Sequence, residues 1–208
     1  MKKLFLFDFD GTIVTEDMLD IACDIVGKKE DSCKLKDDVL SGKVKGLGSL
    51  CERINFLKGV SYSQIKEKLD KENYLQKGAI ELFKYLKEND FITVLSSGNI
   101  IPILKYYQEL LGIDYIFGST PKMDGDTILG ISLEDFGDPN FKYNDCLNII
   151  NELGFEKNNI YGIGDSAVDV NMLSLAGHTF AINPKGGLEN NVDVVIYDDL
   201  MQVVPYLK

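Results

Sequence analysis

The sequence predicts an α/β fold, a doubly wound parallel sheet with a small helical segment inserted after its first strand. Three observations carry that prediction. Continuous apolar runs of strand length end at Asp, Ser, Gly or Asn; amphipathic helical periods separate those runs; and residues 16–75 hold helical periods but no strand. A strand buried on both faces reads as an unbroken apolar run, and strands alternating with helices wind into a parallel sheet through right-handed crossovers.

The first run, residues 4–7, stops at Asp8. Within the insertion Met18, Ile21, Ala22, Ile25 and Val26 mark one helix, Leu47, Leu50, Cys51, Ile54 and Leu57 a second, and Ile65 with Leu69 a third. Each set falls on one face of a 3.6-residue period. Ala79, Leu82, Phe83 and Leu86 then begin the crossover pattern, leading to the run 91–95, which ends at Ser96-Ser97-Gly98. Ile100, Ile103, Leu104, Tyr107, Leu110 and Leu111 give the next helix. Residues 118–133 predict a hairpin about Asp124-Gly125-Asp126, because Asp-Gly supplies the positive φ of a tight turn. Cys146, Leu147, Ile150 and Leu153 form a further helix, and the runs 159–163 and 178–182 two more strands, ended by Gly164-Asp165 and Asn183-Pro184.

At 208 residues, with 45% hydrophobic and 26% charged residues, the chain is of ordinary globular composition and can bury a core. A net charge of −11 argues against nucleic-acid binding, which needs Lys and Arg gathered on one face. Cys23, Cys33, Cys51 and Cys146 show no C-x-x-C spacing, and His178 is the single histidine, so neither a zinc site nor a disulfide framework is indicated. The run after Lys2-Lys3 is too short for a signal sequence or membrane span. The expectation is a cytoplasmic monomer or homodimer with no nucleic-acid or membrane partner.

Asp8-Phe9-Asp10-Gly11-Thr12 directly follows the first strand, and parallel sheets bind ligands at the carboxyl ends of their strands. A lone D-x-D would serve equally as a turn with solvated acids. A second acidic loop, Gly164-Asp165-Ser166-Ala167-Val168-Asp169, follows another buried strand. Carboxylates gathered at one edge repel one another unless a hard cation holds them, and oxygen donors suit magnesium. An aspartate is ionised at neutral pH and attacks without a separate base, while a neighbouring acid can supply a proton.

These motifs resemble the haloacid dehalogenase (HAD) superfamily of phosphatases, in its phosphoserine-phosphatase-like branch, from Phe5 to about Pro184. The resemblance implies a Rossmann-like core, residues 1–15 and 76–208, with a helical cap, residues 16–75. D-x-D-G-T implies that Asp8 is nucleophile and metal ligand. Asp10 would protonate the leaving oxygen, then deprotonate water, and bind metal through its carbonyl. Gly11 would let backbone approach phosphate. Matching Ser97-Gly98 to the family's second motif makes Ser97 the phosphate-binding serine, with Ser96 the alternative. A helix from Asn99 or Ile100 would aim its N–H groups at phosphate; the same serine would also serve as an N-cap. Lys142, about two dozen residues before Asp165, matches the lysine that neutralises nucleophile and phosphate. Asp165 matches the metal-binding acid and Asp169 its second acid, acting through a metal-bound water, with a charge at a helix N-terminus as the structural alternative, while Val168 departs from the Asn common there.

The stretch from Ser41-Gly42-Lys43 to Arg53-Ile54 resembles the cap segment whose Arg contacts a substrate carboxylate. Arg53 is that candidate, with Asp17 or Glu16 facing the amino group; a surface Arg and a solvated acidic turn would use the same residue types. Gly46 stands where relatives carry a bulky apolar residue. The implied activity is Mg2+-dependent hydrolysis of a small phosphorylated metabolite through an aspartyl-phosphate, phosphoserine being the leading candidate. The alternatives are a phosphotransferase and a non-catalytic phosphate-ligand binding module; both motif acids and Lys142 disfavour the latter, and Asp10 with Gly-Thr disfavours dehalogenation. His178 and Tyr106-Tyr107 read as structural.

Overall fold

The computed structural model describes residues 2–40, 43, 46–136 and 140–207. Strand β1 (Lys3–Phe7) leads into four helices, α1 (Met18–Cys23), α2 (Lys29–Leu40), α3 (Gly46–Phe56) and α4 (Tyr62–Leu69). Then come α5 (Ala79–Glu88), β2 (Phe91–Ile100), α6 (Ile101–Leu111), β3 (Tyr115–Ser119) and a hairpin of β4 (Lys122–Asp124) and β5 (Thr127–Gly130). Next come α7 (Phe141–Leu153), β6 (Ile160–Ser166), α8 (Val170–Leu173), β7 (His178–Lys185) and β8 (Val194–Ile196), followed by a 3-10 helix, Leu200–Tyr206.

Six strands form one parallel sheet in the order β3-β2-β1-β6-β7-β8. The winding direction reverses between β1 and β6, which opens a crevice at their carboxyl ends. Leu4 and Leu6 face Cys146, Ile149, Met172 and Leu173 of α7 and α8. Phe5 and Phe7 face the opposite layer, with Leu82, Phe83 and Ile103, in an apolar cluster that continues into Met18 and Ile54 of the insertion. Both faces are covered, which is why β1 is apolar at every position from Leu4 to Phe7.

The insertion joins the sheet domain through two crossing segments. Val14 bridges Leu75, Thr15 N–H donates to the Tyr74 carbonyl (2.9 Å) and Gln76 N–H to the Ile13 carbonyl (2.8 Å). Farther out, β5 and the turn before it grip the insertion: Gly59 N–H donates to Ile128, Ile128 N–H to Val60 and Tyr62 N–H to Asp126, at 2.7–2.9 Å.

Several elements differ from the sequence expectations. β3, β8 and α2 have no predicted counterpart, and the hairpin is narrower than residues 118–133 because Gly118 belongs to β3. β2 runs to Ile100 rather than 95, its register breaking between Ser96 and Ile100. Consequently α6 begins at Ile101, with Pro102 in its first turn, and not at Asn99 or Ile100. Among the described residues no helix is long and apolar enough to cross a membrane. Ser41 and Gly42 of the resembled segment lie outside the described residues.

Candidate active site

Asp8 leaves β1 with its N–H donating to the Ile163 carbonyl (3.0 Å), so the ladder to β6 extends one residue into the loop. The end of β6 brings Asp165 alongside, and a single 3-10 turn, Ala167–Asp169, returns Asp169 beneath it. One carboxylate oxygen each from Asp8, Asp165 and Asp169 lie within 4.8 Å of one another, all three side chains being buried. Gly11 is required by this convergence. Its φ is +88°, and a Cβ there would stand 2.1 Å from Asp165 Oδ2; the constraint visible at Gly11 is thus the approach of Asp165. A Cβ at Gly164 would likewise meet Asp169 Oδ2 at 2.6 Å.

Lys142, in the first turn of α7, points into the cluster and donates to Asp8 Oδ1 (2.5 Å) and Asp169 Oδ1 (2.9 Å). Thr12 Oγ1 donates to Asp8 Oδ2 (3.0 Å). Asp169 Oδ2 accepts from the N–H groups of Asp165 (3.3 Å) and Ser166 (3.2 Å), so it holds the turn together as well as facing Lys142. Lys185 reaches Asp165 Oδ2 at 3.1 Å from a largely exposed position.

Asp10 stands apart from this cluster. Its carboxylate turns away and accepts from Met18 N–H (2.8 Å), from Asn99 Nδ2 at both oxygens (3.2 and 3.3 Å) and distantly from Ser97 Oγ (3.5 Å). Burial, then the charge of Asp17, push its carboxyl up to about 8 against the Met18 and Asn99 hydrogen bonds. Burial and the Asp169 charge push Asp8 up to about 7, although Lys142 opposes them. Burial also raises Asp165 against Lys185. For Lys142 burial opposes the charge, yet Asp169 and Asp8 outweigh it and hold the ammonium above its ordinary value.

The donor set fits a hard divalent cation. It offers only carboxylate oxygens, clustered and buried, with more negative charge than Lys142 balances, which is what oxygen-coordinated Mg2+ requires. Asp8, Asp165 and Asp169 are the residues whose side chains would hold it. The Asp10 side chain lies outside that set, consistent only with a backbone role there.

The two serines at the end of β2 point to opposite sides. Ser97, 2% exposed, borders the cavity. Ser96 is wholly buried beside Cys146 on the other face. The N–H groups expected to point at phosphate are occupied locally: Asn99 N–H donates to Ser97 Oγ (3.0 Å) and Ile100 N–H to Asn99 Oδ1 (2.8 Å). Ser97 is therefore no helix N-cap; α6 is preceded by Ile100 without a side-chain cap.

Across a cavity of about 450 Å³ the insertion presents Glu16, Asp17, Lys36 and Arg53 to Asp8, Asp10, Ser97, Gly98, Lys142 and Asp165. Arg53 is buried, not a surface residue. Its Nη2 donates to Asp17 Oδ1 (2.6 Å) and Asp20 Oδ1 (2.9 Å), and its Nε to Ser32 Oγ (2.8 Å). Asp17 also caps α1 by accepting from Leu19 and Asp20 N–H, so the expected amino-group acid already serves two structural partners. Lys36 pairs with Asp20 and lies 3.5 Å from Asp17. Thr12, Asp20, Lys36, Asn99 and Lys185 were not among the sequence candidates; only Thr12 had a signal, as the last residue of D-x-D-G-T. His178 is satisfied structurally, stacked on Tyr161 at 4.6 Å with Nε2 on the Asn158 carbonyl. Tyr107 is buried in the core.

The haloacid dehalogenase-like hydrolase family model matches residues 5–174. A phosphoserine phosphatase of Methanocaldococcus jannaschii is 28% identical over all of this chain and 98% of its own, and one of Campylobacter jejuni is 28% identical over 98% and 99%. A third, from Archaeoglobus fulgidus, is longer, and the chain spans 56% of it at 28% identity. Among solved structures, a phospho-aspartyl intermediate analogue of phosphoserine phosphatase superposes with a TM-score of 0.84 at 27% identity. It matches 100% of this chain and 99% of its own. A substrate-bound phosphoserine phosphatase complex gives 0.85 at 26%, with the same coverage.

Proposed function

The chain belongs to the haloacid dehalogenase-like hydrolase family, and from that premise we propose that it is a Mg2+-dependent phosphomonoesterase acting on a small phosphorylated metabolite, phosphoserine first among them. The observation that carries this reading is the separation of two acids. Asp8 sits in the carboxylate cluster under Lys142, while Asp10 is held aside by Met18 and Asn99 and is pushed up to about 8. One acid is thus placed to attack and the other to carry a proton.

In the first step a carboxylate oxygen of Asp8 forms a bond to phosphorus as the ester P–O bond breaks, and the Asp10 proton passes to the departing alcohol oxygen. Asp10, now ionised, then accepts a proton from water as that water attacks phosphorus and Asp8 leaves. Both acids return to their starting states. Lys142 keeps its charge beside Asp8 and the phosphoryl oxygens, with Ser97 Oγ and the Gly98 backbone at the cavity wall to bind them, since phosphoryl transfer depends mainly on positioning and charge neutralisation. Asp8, Asp165 and Asp169 would hold the magnesium ion through their carboxylates, joined by the Asp10 carbonyl as the family resemblance implies, and the ion would supply charge neutralisation that favours ionised Asp8.

Residues 16–75 act in this reading as a cap over the core, residues 1–15 and 76–208, and exclude water from the phosphate. Arg53 and Asp17 at the cavity wall are assigned to the carboxylate and amino group of phosphoserine, the substrate carboxylate replacing Asp17 or Asp20 as a partner of the Arg53 guanidinium so that a fork can form. The test is phosphate release from a panel of phosphorylated metabolites with Mg2+ and after EDTA. Release from phosphoserine that EDTA stops supports the assignment. Release from other esters alone removes the substrate but keeps the phosphatase.

A further inference from the structure

A second cavity, of about 550 Å³, adjoins the first and shares Leu50, Arg53, Gly98, Lys142 and Val168 with it. Its remaining wall is largely apolar and includes Val39, Leu47, Phe141, Tyr143 and Met172. None of these side chains enters the phosphoryl-transfer chemistry. The neck between the cavities passes Gly98. A Cβ there would stand 3.2 Å from Leu50 Cδ2 and 3.8 Å from Phe141 Cζ, so the absence of a side chain helps keep the neck open.

Two more residues at this chamber point the same way. Val168 borders both cavities and is 72% exposed, a large apolar side chain placed between Asp165 and Asp169. At Gly46, among the described residues, a Cβ would meet only Val39 Cγ1, at an ordinary van der Waals distance of 3.7 Å. Ligand pockets of roughly 300–1,000 Å³ hold drug-sized molecules. The groups assigned to a serine-sized ester, Ser97, Lys142, Asp17 and Arg53, all line the first cavity, and the apolar residues found only at the second are assigned to no part of it.

We propose that the apolar chamber receives the alcohol portion of the substrate, so that the enzyme takes phosphomonoesters whose alcohol carries an apolar or aromatic group several bonds from the phosphate. The inference rests on the phosphomonoesterase reading and extends its substrate class. The apolar group lies past Gly98 against Leu47, Phe141 and Val168, while the phosphate stays at Asp8.

Propyl phosphate and 3-phenylpropyl phosphate test this directly, because both release a primary alcohol and differ in apolar bulk. With Mg2+ present, kcat/KM for the phenylpropyl ester should exceed that for propyl phosphate about ten-fold or more, the gain from burying a ring. Gly46→Phe, which fills the chamber, and Leu47→Gln, which makes its wall polar without adding bulk, should each erase most of that advantage and leave propyl phosphate turnover unchanged. Equal turnover of the two esters by the wild type, or an advantage untouched by both variants, would overturn the proposal while the phosphatase stands. If neither these esters nor phosphoserine released phosphate, the phosphomonoesterase reading would fall and the inference with it.

Discussion

Two buried charge clusters face each other across the cavity, and they balance charge differently. On the insertion side Asp17 and Asp20 meet Arg53 and Lys36. Burial would raise the Asp20 carboxyl, but hydrogen bonds from Lys36 and Ser32 and the Arg53 charge hold it below its ordinary value. On the sheet side Asp8, Asp165 and Asp169 gather around Lys142, with Lys185 reaching in from the surface, and Asp8 and Asp165 are pushed up. Acids matched by cations hold helices together; acids in excess of their cations need a ligand to complete them.

Asp8→Asn gives the largest contrast. Turnover should fall on the order of 10⁴-fold or more, as expected for loss of a nucleophile, while the metal-free thermal midpoint should not drop, because Lys142 keeps Asp169 as its partner and the amide removes one of three crowded carboxylates. Near-normal phosphate release by this variant would break the proposed mechanism. Asp20→Ala should do the opposite. Losing one partner of a buried ion pair costs about 3–5 kcal/mol, measurable by urea unfolding. The stabilisation from Asp20, whose folded value is depressed, is present above the unfolded carboxylate value and is lost as pH falls through the folded one.

Asp8 and Asp10 run the other way. Their folded values, about 7 and about 8, lie above the unfolded value near 4. Over that interval the metal-free folded chain binds more protons than the unfolded chain, so these groups make stability fall as pH rises. Mg2+ binds ionised carboxylates, so its stabilising effect should be larger at about pH 8 than at about pH 5, and reach about 2.7 kcal/mol at a hundred-fold excess over Kd. Thermal melts with and without the ion measure this, and equal shifts at both pH values would count against the cluster as the metal site. Calcium should support turnover poorly because its coordination is larger and looser.

The sheet-side cluster was legible in the sequence and the insertion-side cluster largely was not. Asp8 and Asp165 each end an apolar run, and a parallel sheet must bring such ends to one edge. Asp20, Ser32 and Lys36 carry no such mark. α2 reads KEDSCKLKDDVL, with too few apolar residues for a helical period, and its inward contacts are polar ones that only tertiary packing reveals. β3 and β8 were missed for other reasons: β3 begins in Tyr115-Ile116-Phe117 but runs into the residues assigned to the hairpin, and β8 is three residues at the sheet edge. Asn99 reads as the start of a helix because the helical period begins at Ile100. The bulge that turns it toward Asp10 leaves no local pattern.

Asn99 links the two clusters, since Asp10 lies between them and is pushed up partly by Asp17. Both Asp10 oxygens accept from Asn99 Nδ2, which fixes the orientation of the carboxyl that the proposed mechanism uses to protonate the leaving oxygen. Asn99→Ala should therefore lower kcat/KM for an alkyl phosphate, which reports the Asp8 phosphorylation step, by about a hundred-fold, the low end of what general acid catalysis contributes. kcat/KM for p-nitrophenyl phosphate, whose leaving group needs no proton in that step, should be spared, whereas its kcat still depends on Asp10 taking the proton of the attacking water. A uniform loss on both esters would mean that Asn99 supports the loop rather than the acid.

Arg53→Lys should give the smallest effect and most directly asks whether the insertion-side cluster also recognises substrate. Lysine keeps a positive charge near Asp17 and Asp20 but loses the Nε bond to Ser32 and the planar fork, and an ammonium cannot hold a carboxylate through two parallel bonds. If Arg53 clamps the substrate carboxylate, kcat/KM for phosphoserine should fall about ten-fold more than for phosphoethanolamine, which lacks that group, because a hydrogen bond to a charged partner is worth roughly 1.5–3 kcal/mol. Equal losses on the two substrates would assign Arg53 to holding α1, α2 and α3 together. The self-neutralised cluster would then be wholly structural, and recognition of the organic part would rest on the apolar chamber.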